Sequence, residues 1–304
     1  MKRFKTLLQR EWMQHQRGWL VLMALPIVVI TVAGLFGEVH ADFGEVERAG
    51  PPGALMVALA TVCSIGALSL TLAWLASLLQ SPGLARRDVQ DRSIEFWLSL
   101  PTSHLQSLGA TLLTHLLLFP WLALLVGLAG GLLASLLLVT KAFGIGAWFG
   151  LPWASLIAAF ALLALRLMLG LLLASLWLSP LILGTMAASA WLKRWGVPVV
   201  VGVLVFGGLV LDKVYGNPIV WELLRTLTVK SSQALIVAER GDAAVGFTIQ
   251  NQDEIGGALQ QLPGWLLHDA GSALMALASP AFVGALLAGA AGFGALWLRR
   301  QRGA

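Results

Sequence analysis

The chain contains little of what soluble proteins and most enzymes rely on. Among its 304 residues it has a single cysteine, Cys63, a single tyrosine and only 12% charged residues. One cysteine excludes a disulfide framework and a cysteine-ligated metal site. So few charges do not cover the surface of a soluble domain when 58% of the residues are hydrophobic. The composition therefore predicts an all-α membrane protein that crosses the bilayer several times.

Short motifs of several enzyme classes are absent as well. No lysine follows a glycine, so the phosphate-binding loop GxxxxGK[ST] is missing and we expect no nucleotide hydrolysis by this chain. The metalloprotease motif HExxH and the hydrolase motif GxSxG are missing too. Of the five histidines, His104 and His115 would lie about 16 Å apart along one helix, too far to share a metal ion. We therefore expect no catalytic residue, no metal site and no cofactor bound by this chain itself.

Apolar runs predict six membrane spans. Residues 1–18 carry five basic side chains beside a helical apolar stripe, which is typical of an interfacial helix on an anionic leaflet. The spans are expected at about 19–36, 54–79, 106–139, within 151–192, at 197–211 and at 272–298. The block 151–192 would reach about 63 Å as one straight helix, so we expect a break at Ser179 and Pro180. One span in this block places both basic termini on the same side, whereas two spans would violate the positive-inside rule.

The charge bias then orients the chain. Thirteen basic residues fall on the predicted cytoplasmic side, and six fall on the outer side together with eleven acidic residues. The predicted organisation is an interfacial helix over 1–18, five spans over 19–213 with a cytoplasmic loop at 84–104, an external segment over 214–271, and the last span with a basic tail over 272–304. In the external segment, Asn217 and Pro218 match the N-cap and first position of an amphipathic helix on the outer surface. Because the basic residues flank membrane spans, they do not indicate nucleic-acid binding.

Arg166 lies near the centre of the fourth predicted span, where an ionised side chain is costly and usually functional. Two interpretations are open: a functional intramembrane residue, or an arginine that faces the bundle and is satisfied by carbonyls or hydroxyls. No carboxylate in the sequence is an evident intramembrane partner.

The most charged stretch, residues 84–106, lies between the second and third spans and reads LARRDVQDRSIEFWLSLPTSHLQ. In a helix, one face would carry Asp88, Asp91, Arg92 and Glu95, and another face would carry Ile94, Trp97 and Leu98. This helix should end before Pro101, and Ser103 with Gln106 matches a capping box for the next span. Two interpretations are open here as well: a helix that docks on a partner, or a solvated loop whose arginines only set the topology.

Within this stretch, DRSIEFWLSLPTS resembles the DRSxxFWxSLPxS signature of one group of ABC-2-type permeases, the membrane subunits of ATP-binding-cassette exporters. The segments REWMQHQRGWL, SAWLKRWGVP and LASPAFVGALLAGAAGFGALWLRR resemble other recurring stretches of that group. The resemblance touches both ends and the middle of the chain, and residues 214–271 are its least similar part.

The resemblance implies a multi-pass protein of the bacterial cytoplasmic membrane with both termini inside and an elbow helix at residues 1–18. It also implies a coupling helix that docks on a separate ATPase subunit, which would bind the ATP and Mg²⁺. The residues that match the family signature, together with those of the apolar face described above, form the expected ATPase-coupling set: Asp91, Arg92, Ser93, Ile94, Glu95, Phe96, Trp97 and Leu98. A second permease copy or a paralogue would complete the membrane core, which membrane lipid would surround.

The expected activity is export of a peptide, drug or lipid-like substrate across the membrane, driven by the ATPase. The alternative is an assembly or mechanotransmission subunit of the same architecture, in which residues 214–271 engage an envelope protein and no substrate is transported. A membrane-embedded enzyme or redox subunit is disfavoured, because the predicted spans contain no clustered histidine, cysteine or acidic residues.

Overall fold

The computed structural model describes residues 2–37, 50–90, 104–235 and 254–302, and every regular element in these ranges is a helix. The helices are α1 Lys2–Phe36, α2 Gly50–Gln90, α3 His104–Leu113, a π-helix Thr114–Leu118, α4 Phe119–Phe143, α5 Ile145–Phe149, α6 Trp153–Trp177, α7 Ser179–Leu192, a 3₁₀ turn Lys193–Trp195, α8 Gly196–Tyr215, α9 Ile219–Leu235, α10 Glu254–Met275, a 3₁₀ turn Ala276–Ala278 and α11 Pro280–Arg302. The expected ATPase-coupling set lies outside the described residues.

Within the described ranges, six helical stretches are long and apolar enough to cross a membrane: Phe4–Phe36, Gly53–Ala85, His104–Phe143, Trp153–Trp177, Ser179–Tyr215 and Pro280–Arg302. The protein is therefore an all-α polytopic membrane protein, as the composition predicts. The structure differs at the N-terminus, where α1 runs without interruption from Lys2 to Phe36. The residues predicted as a separate interfacial helix thus continue directly into the first span.

The long apolar block breaks where the sequence predicts it. Helix α6 ends at Trp177, and α7 begins at Ser179 with Pro180 in its first turn, where a proline removes no helical hydrogen bond. Both helices pack against α2: Phe160 of α6 shares a buried cluster with Ala58, and Met186 of α7 shares another with Ala85.

A reversal of the chain follows α7. Among the described residues, Lys193 is the non-glycine residue whose backbone φ angle is positive, at 55°. Just beyond it, Gly196 lies directly against the backbone of Ser189, so closely that a Cβ would collide with it. Helix α8 therefore turns back along α7, and the stretch Ser179–Tyr215 consists of two helices packed against each other rather than one straight span.

The centre of the bundle is the contact between α2 and α4. A Cβ at Gly131 would lie 2.8 Å from Val62 Cα, and one at Gly127 would lie 3.1 Å from Ile65 O. Only glycine allows two helix backbones to approach so closely, and small residues serve this purpose in membrane helices. The two helices consequently form a tight pair around which the others pack.

Helix α8 has almost no buried surface. Only Gly196 and Gly208 are buried along its length, while Val203 and Phe206 are 66% and 70% exposed. An apolar helix face of this kind is covered by lipid or by another membrane helix.

The N-terminal half of α1, the end of α2, the start of α3 and the end of α11 meet at one end of the bundle. Ala85, Leu108 and Leu296 share a buried cluster there, and Arg300 Nη1 donates to Ser107 Oγ at 3.4 Å. The guanidinium groups of Arg299 and Arg302 lie 5.7 and 5.6 Å from the Trp191 ring centroid in a cation–π arrangement. We call this the basic end. At the opposite end, Lys141 Nζ donates to the carbonyls of Gly34 and Leu35 in the last turn of α1 and to that of Gly37, just beyond it.

Candidate functional site

Glu11, close to the basic end, is a carboxylate with no exposed surface. Its Oε1 accepts a hydrogen bond from Arg10 Nη2 at 2.5 Å and another from Thr111 Oγ1 at 3.1 Å. Its Oε2 lies 3.3 Å from His115 Nε2. A buried carboxylate is tolerated only when it is paired and hydrogen-bonded, as this one is. Through it, α1 is attached to both α3 and the π-helix.

Two histidines lie beside this carboxylate. His15 Nδ1 is 3.1 Å from the carbonyl oxygen of Glu11, and the rings of His15 and His115 meet edge to face with centroids 4.7 Å apart. Trp19 contacts both rings and stacks on Phe119 at 4.4 Å. The expectation that the histidines form no cluster is therefore wrong for this pair, which is separated by 100 residues in the sequence. The π-helix carries His115, and such segments are frequent at functional sites.

Glu11, His15 and His115 have side chains of the kinds that bind metal ions. One ligand atom from each lies within 4.8 Å of the others, and two histidines with a carboxylate are a ligand set that zinc accepts. The guanidinium of Arg10, however, already occupies the same carboxylate and is itself buried. A divalent cation beside it would bring two like charges into a region of low dielectric. The arrangement fits a hydrogen-bonded junction between helices better than a metal centre.

Arg166 forms the second polar site. Its Nε donates to Asp269 Oδ2 at 2.5 Å, and its Nη1 donates to the carbonyl oxygen of Ala234 at 2.9 Å. The first partner lies on α10 and the second on α9, so one side chain of α6 joins both helices of the segment predicted to be external. Arg166 thus has a carboxylate partner that was not evident from the sequence: Asp269, which lies 103 residues after it in the chain.

The local packing explains why this arrangement forms. A Cβ at Gly170, one turn beyond Arg166, would collide with the carbonyl oxygen of Ala234 and lie 2.7 Å from Arg166 Nη1. Glycine therefore lets α9 approach α6 closely enough for the guanidinium to reach a backbone oxygen. The adjoining apolar contacts involve Leu173, Ala174, Trp177, Leu227, Ala234, Ala273, Phe282 and Ala285. Residues from α9 and α10 consequently pack along the second half of α6 and do not lie only on an outer surface.

Of the predicted site residues, the structure places Arg166 and finds both a carbonyl and a carboxylate around it. Its Nε and Nη1 are paired in this way, whereas its Nη2 is buried without a hydrogen-bond partner among the described residues. The structural and the functional interpretation of Arg166 both stay predictions. The coupling set falls within residues 91–103, between the end of α2 at Gln90 and the start of α3 at His104.

Comparisons with protein-family models, with curated proteins and with solved structures find no match for this chain. Its function is therefore argued from its own residues and their geometry.

Proposed function

We propose that this chain is the permease subunit of an ABC-2-type transporter, which couples ATP hydrolysis by a separate ATPase subunit to export of a substrate across the bacterial cytoplasmic membrane. The observation that carries the proposal is DRSIEFWLSLPTS, an amphipathic charged segment of the ABC-2 type placed between two apolar helices. The proposed substrate is a peptide, drug or lipid-like molecule.

The position of the segment supports a docking role. It connects α2 and α3, whose residues Ala85 and Leu108 share a buried cluster at the basic end. Lys193, Arg194 and the arginines of α11 are located at the same end. Since basic residues concentrate on the cytoplasmic side of membrane proteins, this end faces the compartment that holds ATP.

The chemistry of the segment supports a protein partner. A helix over 91–98 would place Asp91 and Glu95 one turn apart, where two carboxylates repel each other. Basic or hydrogen-bond-donating groups on an ATPase would offset this repulsion. Trp97 and its apolar neighbours would fill a cleft, and each large side chain buried there would contribute about 1.5–3 kcal/mol.

The proposal is tested by the double substitution Glu95→Ala with Trp97→Ala, which leaves every arginine in place. The tagged chain is purified in mild detergent from cells that also produce the ATPase. We expect the wild-type chain to retain the ATPase, and the double variant to lose most of it together with ATP-driven transport. Cysteine labelling in a Cys63→Ala background checks that the topology of the variant is unchanged.

A matched control replaces the same residue types at Trp221 and Glu222 of α9, which lie outside the proposed docking segment. This control variant should keep the ATPase bound. Full ATPase association and transport in the Glu95→Ala, Trp97→Ala variant would refute the docking role and leave residues 91–103 as a topological loop.

A further inference from the structure

A groove of about 320 Å³ runs between α1 and the junction of the π-helix with α4. It shares no lining residue with the Arg166 site. Its walls are mainly apolar, with Leu8 and Trp12 on one side and Phe119 and Leu122 on the other, and Lys5 lies at one end.

The dimensions of the groove fit a lipid chain. Lys5, Leu8, Trp12 and Trp19 are spaced so that they share one face of α1. Fourteen residues of helix separate the first from the last, a length of about 21 Å. One leaflet contributes about 15 Å to the hydrocarbon core, so this length accommodates an acyl chain and the glycerol region of its lipid.

The polarity of the groove follows the same order as that of a phospholipid. Lys5 is exposed and cationic, and further along lies Thr114, whose Oγ1 is buried without a hydrogen-bond partner in the described structure. Phe119 and Leu122 provide the apolar end. A buried hydroxyl without a partner is uncommon, and a lipid ester carbonyl in the groove would supply the acceptor it lacks.

The position of the groove also fits the bilayer. Trp19 lines it at the position where the sequence predicts the start of the first span, and indole rings concentrate at the membrane interface. The N-terminal half of α1, which provides the cationic end, lies at the basic end, where anionic lipids of the inner leaflet attract lysine and arginine.

We propose that this groove binds one acyl chain of an anionic phospholipid, whose phosphate is held by Lys5. The site anchors the N-terminal half of α1 to the membrane, and binding requires neither the ATPase nor a transported substrate.

The test uses the full chain reconstituted in nanodiscs that contain phosphatidylglycerol or phosphatidylcholine with a photoreactive diazirine on the acyl chain. Cross-linked peptides are identified by mass spectrometry. We expect phosphatidylglycerol to label residues 5–19 and 114–122 at least five-fold more than phosphatidylcholine. Lys5→Glu should remove this preference, and Leu122→Trp, which fills the apolar end, should reduce labelling at least five-fold.

Two control variants separate the groove from general lipid contact. Leu125→Trp adds the same side chain at a position of α4 that is 48% exposed and does not line the groove, so labelling should persist. Lys213→Glu reverses a charge on α8 and should leave the preference for phosphatidylglycerol intact.

The proposal is overturned if the two lipids label these peptides equally, or if Leu122→Trp and Leu125→Trp behave alike. Equal thermal stability of Leu122→Trp and the wild-type chain shows that lost labelling is not due to unfolding.

Discussion

The ion pair between Arg166 and Asp269 offers the sharpest test of the structure. Their side chains are 3% and 13% exposed, so neither is well solvated. Asp269→Asn removes the negative charge and leaves the guanidinium buried, with only neutral acceptors, the Ala234 carbonyl and the new amide oxygen, beside it. Breaking a buried pair in this way typically costs about 3–5 kcal/mol, and the retained carbonyl favours the lower value.

The chain contains a matched control for this substitution. Asp212 and Lys213 also form an ion pair, at 3.3 Å, but their side chains are 30% and 76% exposed. Water screens such a pair, so Asp212→Asn should change the free energy of unfolding by only about 0–1 kcal/mol. The two substitutions have the same chemistry and differ in burial.

Thermal unfolding in detergent is followed by a thiol-reactive dye that reports the exposure of Cys63. A change of 1 kcal/mol shifts Tm by about 2–4 °C in a protein of 150–250 residues, so Asp269→Asn should lower Tm by about 6 °C or more. Arg166→Met combined with Asp269→Leu removes both charges and should recover most of this loss, because apolar pairs replace buried ion pairs well. Equal Tm values for Asp269→Asn and Asp212→Asn would refute the structural role of the pair.

Two further substitutions test the helix contacts by the same unfolding assay. Gly170→Ala should destabilise the chain by about 1–3 kcal/mol, because the added Cβ collides with the Ala234 carbonyl. The control Gly184→Ala should leave the stability unchanged, because its Cβ would meet nothing within 4 Å. Equal effects of the two substitutions would contradict the close packing of α6 and α9. Glu11→Ala should lower Tm by about 6 °C or more, because Arg10 loses a buried acceptor, and the exposed Glu222→Ala serves as its control. A Glu11→Ala variant as stable as the control would show that the buried carboxylate does not hold α1 in place.

Local chemistry made several features predictable. The break at Ser179 and Pro180 is confirmed, since a proline without an amide hydrogen favours the first turn of a new helix. Asn217 Oδ1 accepts from Ile219 N at 3.1 Å, as predicted for a capping side chain, although α9 begins at Ile219 and not at Pro218. Such signals depend on neighbours in the sequence and on the bilayer, so they need no knowledge of the tertiary fold.

The polar contacts between distant helices were not predictable. Asp269 lies in a stretch that is too polar to span by composition, and nothing near it in the sequence indicates that it reaches Arg166. Likewise, no spacing rule relates Glu11 to His115. These pairs form because α10 packs on α6 and α1 packs on the π-helix, and such packing depends on side-chain shape over the whole bundle.

Helix α2 is the element through which motion of the proposed docking segment would enter the bundle. It runs for 41 residues and adjoins that segment directly at Gln90. On the N-terminal side of its internal Pro82, the apolar part of α2 packs tightly on α4 at Gly127 and Gly131. The glycines have no side chain there whose rearrangement could absorb a shift between the two helices. A displacement at residues 91–103 would therefore move α2 and α4 together, since packed helices shift as rigid bodies. Helix α8, which has almost no buried surface, contacts the bundle at Gly196 against Ser189 of α7 and at Gly208 against Trp221 of α9, so motion of α2 would reach it through those helices.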